Sequence, residues 1–439
     1  MKALGIDIGS TSIKGAVLDL SSLTVMAPVA RPFPAPIDGL PAGWVEIDPS
    51  VVCEVVDEVL SILIQQAPDA DWLGFSGQMG GLILMDEQAR PLTNYLSWQD
   101  QRSIETDAGD ISVLDQIRNT WTAGGVLDEL GGELQPGSST TLLAWLRSQG
   151  KLPEHACPSN IADFVISHGV GHPIPMHVTQ AIGMLDLRNG DWHRRAFERI
   201  GLRDVNFPEL ASTETCIGEW KLEGRTLRVF GSYGDQPCAL RGVGLQPDEL
   251  SLNVSTGSQI SRRTACFEPG RYQSRKYFFG DILNTVTHLP AGRSLNVLVD
   301  LLTEVATAQG LVLGNPWDTI NTLVDAVVAT DLAVDLSFFR GPLGDRGRIE
   351  NISTANLSAG TLFYAAFLAM ADNYARVAER FSPRDWKGIV LSGGLTQKAP
   401  RLSSLLKERF TVPLRESAGE ETLAGLLDIA RHDKLRYPG

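Results

Sequence analysis

Residues 3–20 read ALGIDIGSTSIKGAVLDL, in which two alternating apolar segments flank a short bend of small residues. This pattern is typical of a β-hairpin, since alternate side chains of a strand point to the same face. The bend, residues 9–12, combines a glycine with three hydroxyl side chains, so its backbone N–H groups can surround an anion closely. A second segment, LSLNVSTGSQI at residues 250–260, repeats the pattern. Two such hairpins, each opening one half of the chain, suggest a nucleotide held between two related domains.

The length and composition of the chain indicate a globular protein with more than one domain. It has 439 residues, of which 43% are hydrophobic and 21% are charged, enough to fill a sizeable core. The formal net charge is −14, which disfavours binding to nucleic acid or to an anionic membrane. A net-acidic chain can still bind an anionic nucleotide through local N–H donors, a lysine and a metal ion. We therefore expect small-molecule partners, no nucleic acid and no membrane.

Cysteine usage and the start of the chain favour a cytoplasmic location. The five cysteines are odd in number and widely spaced, and none forms a C-x-x-C pair, so we expect reduced thiols. Met1 leads directly into the first strand, which leaves no room for a secretory signal. No apolar stretch reaches the ~18 residues of a membrane span. Either a monomer or a homodimer is compatible with these features.

Apolar periodicity predicts the main elements outside the hairpins. A helix is expected over residues 51–65, with Asp48 or Ser50 as its cap. A buried strand at residues 72–76 should be followed by residues 82–85 pairing back onto it. The remaining predicted elements are a mostly helical segment at 103–215, a long helix at 358–380, a strand at 386–391 that breaks on Ser-Gly-Gly, and a final helix at about 420–431.

Eight short motifs resemble those of the FGGY family of carbohydrate kinases, and they occur in the family's order over nearly the whole chain. Residues 7–12 and 255–258 resemble the two phosphate motifs, and residues 392–394 resemble the adenosine motif. Residues 76–79 and 98–102 resemble the sugar-binding segments, and residues 43–46 resemble the stretch before the family's first helix. Residues 234–236 contain the expected catalytic Asp, and Asp163 with residues 183–187 and Trp192 resembles the end of the helical insert. The resemblance implies an α/β fold of two ribonuclease-H-like domains, as in actin and the sugar kinases, around a central catalytic cleft. It also implies an N-terminal domain at residues 1–244 and a C-terminal domain at residues 245–439.

Within this family, three segments are most similar to the sedoheptulokinase branch of ketose kinases. They are residues 98–100, residues 339–347 and residues 351–358. Xylulose and ribulose kinases share the first feature loosely and usually lack the last. The resemblance therefore implies ATP-dependent phosphorylation of a ketose, with sedoheptulose as the expected acceptor.

The same resemblance assigns residues to ATP and Mg²⁺, the two expected cofactors. Asp235 is expected to take the proton from the sugar hydroxyl, since phosphoryl transfer needs a carboxylate close to the attacking oxygen. Asp7 is expected to hold Mg²⁺, largely through water. The expected nucleotide-binding residues are Gly9, Ser10, Thr11, Ser12, Lys14, Thr256, Gly257, Gly393, Gly394 and Lys398.

For the sugar, Trp98 offers an apolar face and Gln78 and Asp100 offer hydrogen bonds. Met79 and Asp235 complete the expected sugar site, and Arg102 is expected to orient Asp100 by an ion pair. One departure from the family concerns Gly80, which stands where ketose kinases usually carry a histidine. A sugar hydroxyl therefore loses a partner or binds water instead.

Three other functions compete with ketose phosphorylation. The same fold can phosphorylate xylulose, ribulose or another polyol. A sugar- or nucleotide-binding regulator without catalysis is a second alternative, although such a protein does not need Asp235. An ATPase of the actin or heat-shock type is a third, and Gln78, Trp98 and Asp100 argue against it.

Overall fold

The computed structural model of the chain describes residues 1–106, 111–211, 215–417 and 419–436. Two six-stranded sheets form its framework. The first contains β1 (Lys2–Ile8), β2 (Ser12–Asp19), β3 (Thr24–Pro32), β4 (Trp72–Gly77), β5 (Gly218–Leu222) and β6 (Arg225–Gly234). The second contains β7 (Glu249–Val254), β8 (Ser258–Thr264), β9 (Gln273–Lys276), β10 (Ile282–Leu289), β11 (Gly388–Ser392) and β12 (Leu414–Glu416).

The two sheets share one topology. The first has the order β5-β6-β4-β1-β2-β3 and the second β9-β10-β8-β7-β11-β12. In each, three neighbouring strands are antiparallel, β1-β2-β3 in the first sheet and β7-β8-β10 in the second. Two further strands, β4 and β6 or β11 and β12, run parallel to the first of the three. The strands β5 and β9 extend the sheets by one edge strand each. This repeated arrangement confirms the predicted pair of ribonuclease-H-like units.

The helices cover the sheets and build an insertion in the first unit. Their bounds are α1 (Pro49–Gln66), α2 (Val113–Ala123), α3 (Val126–Glu129), α4 (Ser139–Ser148), α5 (Ile161–Val170), α6 (Arg194–Arg199), α7 (Asp235–Gly242), α8 (Gly292–Ala308), α9 (Pro316–Asp325), α10 (Ala359–Ala378), α11 (Gly394–Lys398), α12 (Pro400–Arg409) and α13 (Glu421–Arg436). Asp48 caps α1, because its carboxylate accepts a hydrogen bond from the Ser50 N–H at 2.8 Å.

Shorter elements complete the chain. The short strands are Glu46–Ile47, Ile83–Met85, Tyr95–Leu96, Cys157–Ser159, Met176–His177, Leu185–Asp186, Asp191–Trp192, Leu210–Ala211, Ala333–Asp335 and Arg348–Glu350, and the 3-10 turns are Arg102–Ile104 and Phe278–Gly280. One prediction was wrong: Ile83–Met85 pairs with Cys157–Ser159 rather than with the strand before it. The pairing partner lies over 70 residues away, and local periodicity cannot identify it.

The last helix packs on the first sheet. α13 follows the final strand of the second sheet but contacts β1, β2 and β4 and crosses α7. The two helices cross closely. A Cβ on Gly425 would lie 2.0 Å from the Cys238 carbonyl oxygen, and a Cβ on Gly242 would lie 1.9 Å from the Glu421 carbonyl oxygen. Glycine is therefore required where these two helices join the halves of the molecule.

Among the described residues, no helix is long and apolar enough to cross a lipid bilayer.

Candidate active site

The ends of three parallel strands bring the predicted catalytic carboxylates together. Asp7 lies near the end of β1, and Gly77 at the end of β4 pairs with Gly234 at the end of β6. Asp235 follows immediately as the first residue of α7. Because carboxyl ends of parallel strands meet at one edge of a sheet, Asp7 and Asp235 share this edge, which is the usual location of sites in open α/β sheets.

Burial raises the pKa of both carboxyls, and the charge of Asp235 raises that of Asp7 further. Burial raises the pKa of Asp235 to about 6, although the Gln236 backbone N–H and the Arg275 guanidinium lower it. Burial and then the charge of Asp235 raise the pKa of Asp7 to about 7, against an opposing effect of Lys14. Burial thus brings the pKa of Asp235 closer to neutral pH, which suits a general base.

The environment of Asp7 suits a hard cation. Among the described residues, its buried Oδ1 has no hydrogen-bond partner. No group of three or more His, Cys, Asp or Glu side chains within the described ranges can hold a metal by itself. A site with one or two carboxylates, water and phosphate oxygens is the arrangement that Mg²⁺ prefers.

The first predicted phosphate bend is a tight turn between β1 and β2. The Gly9 N–H donates to the Ser12 carbonyl oxygen at 3.1 Å, while Ser10 and Thr11 are exposed. Lys14 lies directly opposite Asp7 in the antiparallel register, so both side chains are on one face of the sheet. The bend and the lysine thus border the carboxylate pair.

The second bend lies close to Gln236, the residue after Asp235. Thr256 and Gly257 are exposed between β7 and β8, and no described atom lies within 4 Å of a Cβ built on Gly257. Gln259, two residues further on, accepts a hydrogen bond from the Gln236 amide at 3.1 Å. This contact holds the start of β8 next to the residue that follows Asp235.

The predicted adenosine motif has the backbone that its glycines imply. Gly393 has φ +94°, and a Cβ there would lie 2.3 Å from the Val254 carbonyl oxygen. Gly394 begins α11 and has open space at its Cβ position among the described atoms. Lys398 ends this helix with its side chain exposed. The Gly-Gly turn therefore lies beside the end of β7, which leads into the second bend.

One contact at this site was not predicted from the sequence. Lys14 Nζ lies 2.6 Å from Oε2 of Glu420, the residue before α13, with the side chains 33% and 41% exposed. Glu420 also contributes to raising the pKa of Asp7. The carboxylate of Glu420, from the C-terminal half, is therefore ion-paired with Lys14, which was predicted to bind phosphate.

The predicted sugar residues fall into two groups. Trp98 is 39% exposed, and Met79 is half-buried against Gly234, where a Cβ would lie 2.5 Å from its sulfur. Trp98 is thus partly open to solvent, and Met79 lies against the residue that precedes Asp235, the predicted base. Their contact with a sugar stays a prediction.

Gln78 and Asp100 are buried and already hydrogen-bonded. The Gln78 amide donates to the Gly9 carbonyl oxygen at 3.5 Å and accepts from the Tyr95 hydroxyl at 3.3 Å. Asp100 accepts from the Val45 N–H and from three groups of Arg102 at 2.7–2.9 Å. The predicted ion pair with Arg102 is present, and in this conformation it holds the loop that carries Trp98.

The backbone at Gly80 has a conformation that favours glycine. Its φ is +77°, and a Cβ there would lie 3.4 Å from the Trp98 Cβ and 3.5 Å from the Gly137 carbonyl oxygen. The left-handed conformation costs a non-glycine residue about 1–2 kcal/mol. A histidine at position 80 would therefore have to adopt a conformation that favours glycine, and its effect on sugar binding stays a prediction.

A sequence profile of the FGGY family of carbohydrate kinases, N-terminal domain, matches residues 2–229. The chain belongs to this family. The mouse (Mus musculus) sedoheptulokinase is 22% identical to it over 94% of this chain and 93% of that protein. A xylulose kinase from Staphylococcus xylosus is 31% identical over 58% of this chain and 53% of that protein.

Solved structures of family members share the whole fold. The gluconate kinase of Lactobacillus acidophilus superposes with a TM-score of 0.86 at 18% identity, over 100% of this chain and 91% of that chain. The ligand-bound xylulose kinase of the same organism has a TM-score of 0.86 at 18% identity, over 100% of this chain and 90% of that chain. The FGGY protein described here is thus a two-domain, ATP-dependent carbohydrate kinase.

Proposed function

We propose that this FGGY kinase transfers the γ-phosphoryl group of MgATP to a ketose, with sedoheptulose as the acceptor and sedoheptulose 7-phosphate as the product. The observation that carries the proposal is the position of Asp235, which starts α7 at the strand ends beside Asp7 and close to the second bend. The near full-length similarity to sedoheptulokinase supports the choice of sugar.

In this proposal the two bends hold the phosphates and the carboxylates carry out separate tasks. The N–H and hydroxyl groups of residues 9–12 and of Thr256 and Gly257 bind phosphate oxygens, with Gly393, Gly394 and Lys398 beside the adenosine. Asp7 holds Mg²⁺, which neutralises charge on the phosphates when bound. Asp235 accepts the proton of the attacking hydroxyl.

Sugar binding is proposed to use the loop between Gly77 and Arg102. Trp98 stacks on the C–H face of the sugar, and Met79 packs beside it. Gln78 and Asp100 contribute polar contacts only if their present hydrogen bonds rearrange. Closing the two halves over both substrates would exclude water and so limit ATP hydrolysis.

The wider assignments complete the proposal. The catalytic domain boundary is proposed between residues 244 and 245, where the first sheet ends and the second begins. A cytoplasmic location is supported by the five free cysteines. The enzyme is proposed to act as a monomer or a homodimer.

The test is a coupled ADP-release screen with Mg-ATP and a panel of C5 to C7 ketoses and polyols. We expect the highest kcat/KM with sedoheptulose. Asp235→Asn should lower kcat by ~10²–10⁴ while sugar binding persists. The matched control is Asp163→Asn, another buried carboxyl whose pKa burial raises to about 7, which should keep its activity.

A second candidate, xylulose phosphorylation, is favoured by the 31% identity to a xylulose kinase over part of the chain. The same panel separates the two. Highest kcat/KM with xylulose would replace sedoheptulose in the proposal, whereas an active Asp235→Asn enzyme would contradict the proposed base.

A further inference from the structure

A buried ion pair joins the two halves of the molecule behind Asp235. Glu133 comes from the insertion of the first half and Arg275 from β9 at the edge of the second sheet. The Arg275 Nη2 donates to Glu133 Oε1, and only 6% of each side chain is exposed. Removing two charges from water is costly, so the pair needs further hydrogen bonds to offset that cost.

Arg275 has such a bond, and it leads to the catalytic residue. Its Nη1 donates to the Gln236 side-chain oxygen at 2.7 Å. The backbone N–H of Gln236 donates in turn to Asp235 Oδ1 at 2.7 Å. Arg275 thus bonds to the side chain of Gln236, and the backbone N–H of the same residue bonds to Asp235, so Gln236 links the ion pair to the carboxylate of Asp235.

The amide nitrogen of Gln236 binds the second sheet as well. It lies 3.1 Å from Ser261 Oγ and 3.2 Å from Thr285 Oγ1. Gln236 belongs to the first half, whereas these hydroxyls lie on β8 and β10. The orientation of its side chain therefore depends on the docking of the two halves.

Backbone contacts set the distance between the halves at this point. The Ser274 N–H donates to the Gly131 carbonyl oxygen at 2.8 Å. A Cβ on Gly131 would lie 1.9 Å from the Ser274 carbonyl oxygen, so only glycine permits the approach. Arg275, the next residue, is thereby brought to Glu133.

We propose that Arg275 is a positioning residue for phosphoryl transfer: held by Glu133, it orients Gln236 and so fixes the carboxylate of Asp235 once the two halves are docked. The inference rests on the proposed function, because Asp235 is assigned as the general base only in that proposal. Arg275 acts through Gln236 and is not assigned a contact with either substrate.

The charges around Asp235 agree with this assignment. The charge of Asp235 raises the pKa of Asp7 on β1, and Lys14 on β2 is ion-paired with Glu420 before α13. Arg275 is a cation whose charge lowers the pKa of Asp235. A neutral replacement at 275 would leave Glu133 buried without its partner.

The kinetic test compares Arg275→Ala with Arg263→Ala. Arg263 on β8 also forms an ion pair in the second half, with Asp281, and serves as the matched control. We expect Arg275→Ala to lower kcat by about 10- to 100-fold, as for a displaced catalytic group, with both KM values changed less than about threefold. Added guanidinium ion should restore part of the kcat of Arg275→Ala only.

A second readout does not require activity. Hydrogen exchange of the Gln236 backbone N–H should speed up by about tenfold in Arg275→Ala and in Glu133→Gln, since its bond to Asp235 is loosened. The proposal would be overturned by unchanged exchange of the Gln236 N–H in these variants or by a kcat of Arg275→Ala within about twofold of wild type. A loss of kcat in Arg275→Ala that guanidinium fails to restore would overturn it as well. If wild type phosphorylated no sugar, the proposed function would fail, and the exchange result would still decide whether Arg275 orients Gln236.

Discussion

The ion pair between Lys14 and Glu420 predicts that ATP must displace a carboxylate when it binds. Nζ and Oε2 are 2.6 Å apart, and the two residues lie 406 positions apart in the chain. If Lys14 binds a phosphate of ATP, as the sequence predicts, the nucleotide and Glu420 compete for one ammonium group. Glu420→Gln removes this competition and leaves the shape of the side chain nearly unchanged.

The expected magnitude follows from the exposure of the pair. Two unit charges 4 Å apart attract by about 1 kcal/mol in water and by about 4 kcal/mol at an effective dielectric constant near 20. Because 33% and 41% of the two side chains are exposed, the range measured for exposed pairs, about 0.2–1 kcal/mol, applies. The affinity for ATP should therefore rise by roughly 1.4- to 5-fold in Glu420→Gln.

The assay is calorimetric titration with Mg-ATP in about 50 mM salt and again in about 0.5 M salt. The gain should shrink at the higher salt, because screening weakens the competing pair. Glu54→Gln, an exposed carboxylate on α1, controls for the loss of one negative charge. An unchanged or weaker affinity for ATP at low salt in Glu420→Gln would refute the reasoning.

Three further perturbations test other parts of the structure. Asp7→Ala should raise the Mg²⁺ concentration needed for turnover and leave sugar affinity intact; a normal magnesium titration of the rate would contradict its assignment. Burial raises the pKa of Asp163 from 3.8 to about 7. Between these two pH values the folded state keeps a proton that the unfolded state loses, so the free energy of unfolding falls as the pH rises from about 4 to about 7. In thermal melts, Asp163→Asn should therefore be more stable than wild type by about 2–4 kcal/mol at pH near 8 and gain little at pH near 4. Equal melting temperatures of variant and wild type at both pH values would exclude this. Gly425→Ala should destabilise the protein by about 1–3 kcal/mol, because the new Cβ meets the Cys238 carbonyl oxygen, and Ala424→Gly in the same helix should lack this clash; a wild-type melting temperature for Gly425→Ala would show that the helices can separate freely.

Local patterns in the sequence determined the elements and the family. The two hairpins, the cap at Asp48 and the long helix near residues 359–378 are set by alternation, helical spacing and side-chain hydrogen bonds between near neighbours. The place of Asp235 between the two phosphate bends also follows from the order of motifs along the chain. These features need no knowledge of what packs against them.

Tertiary structure alone decided which residues share the site. Glu420 meets Lys14 and Arg275 meets Glu133 across separations of 406 and 142 residues, and no local spacing encodes such pairs. The burial of Gln78 and Asp100 likewise appears only once the Trp98 loop is packed, because hydrogen-bond partners from distant segments complete their polar groups. Short-range chemistry sets which strands and turns form, whereas long-range packing sets the charge environment and solvation of each predicted catalytic group.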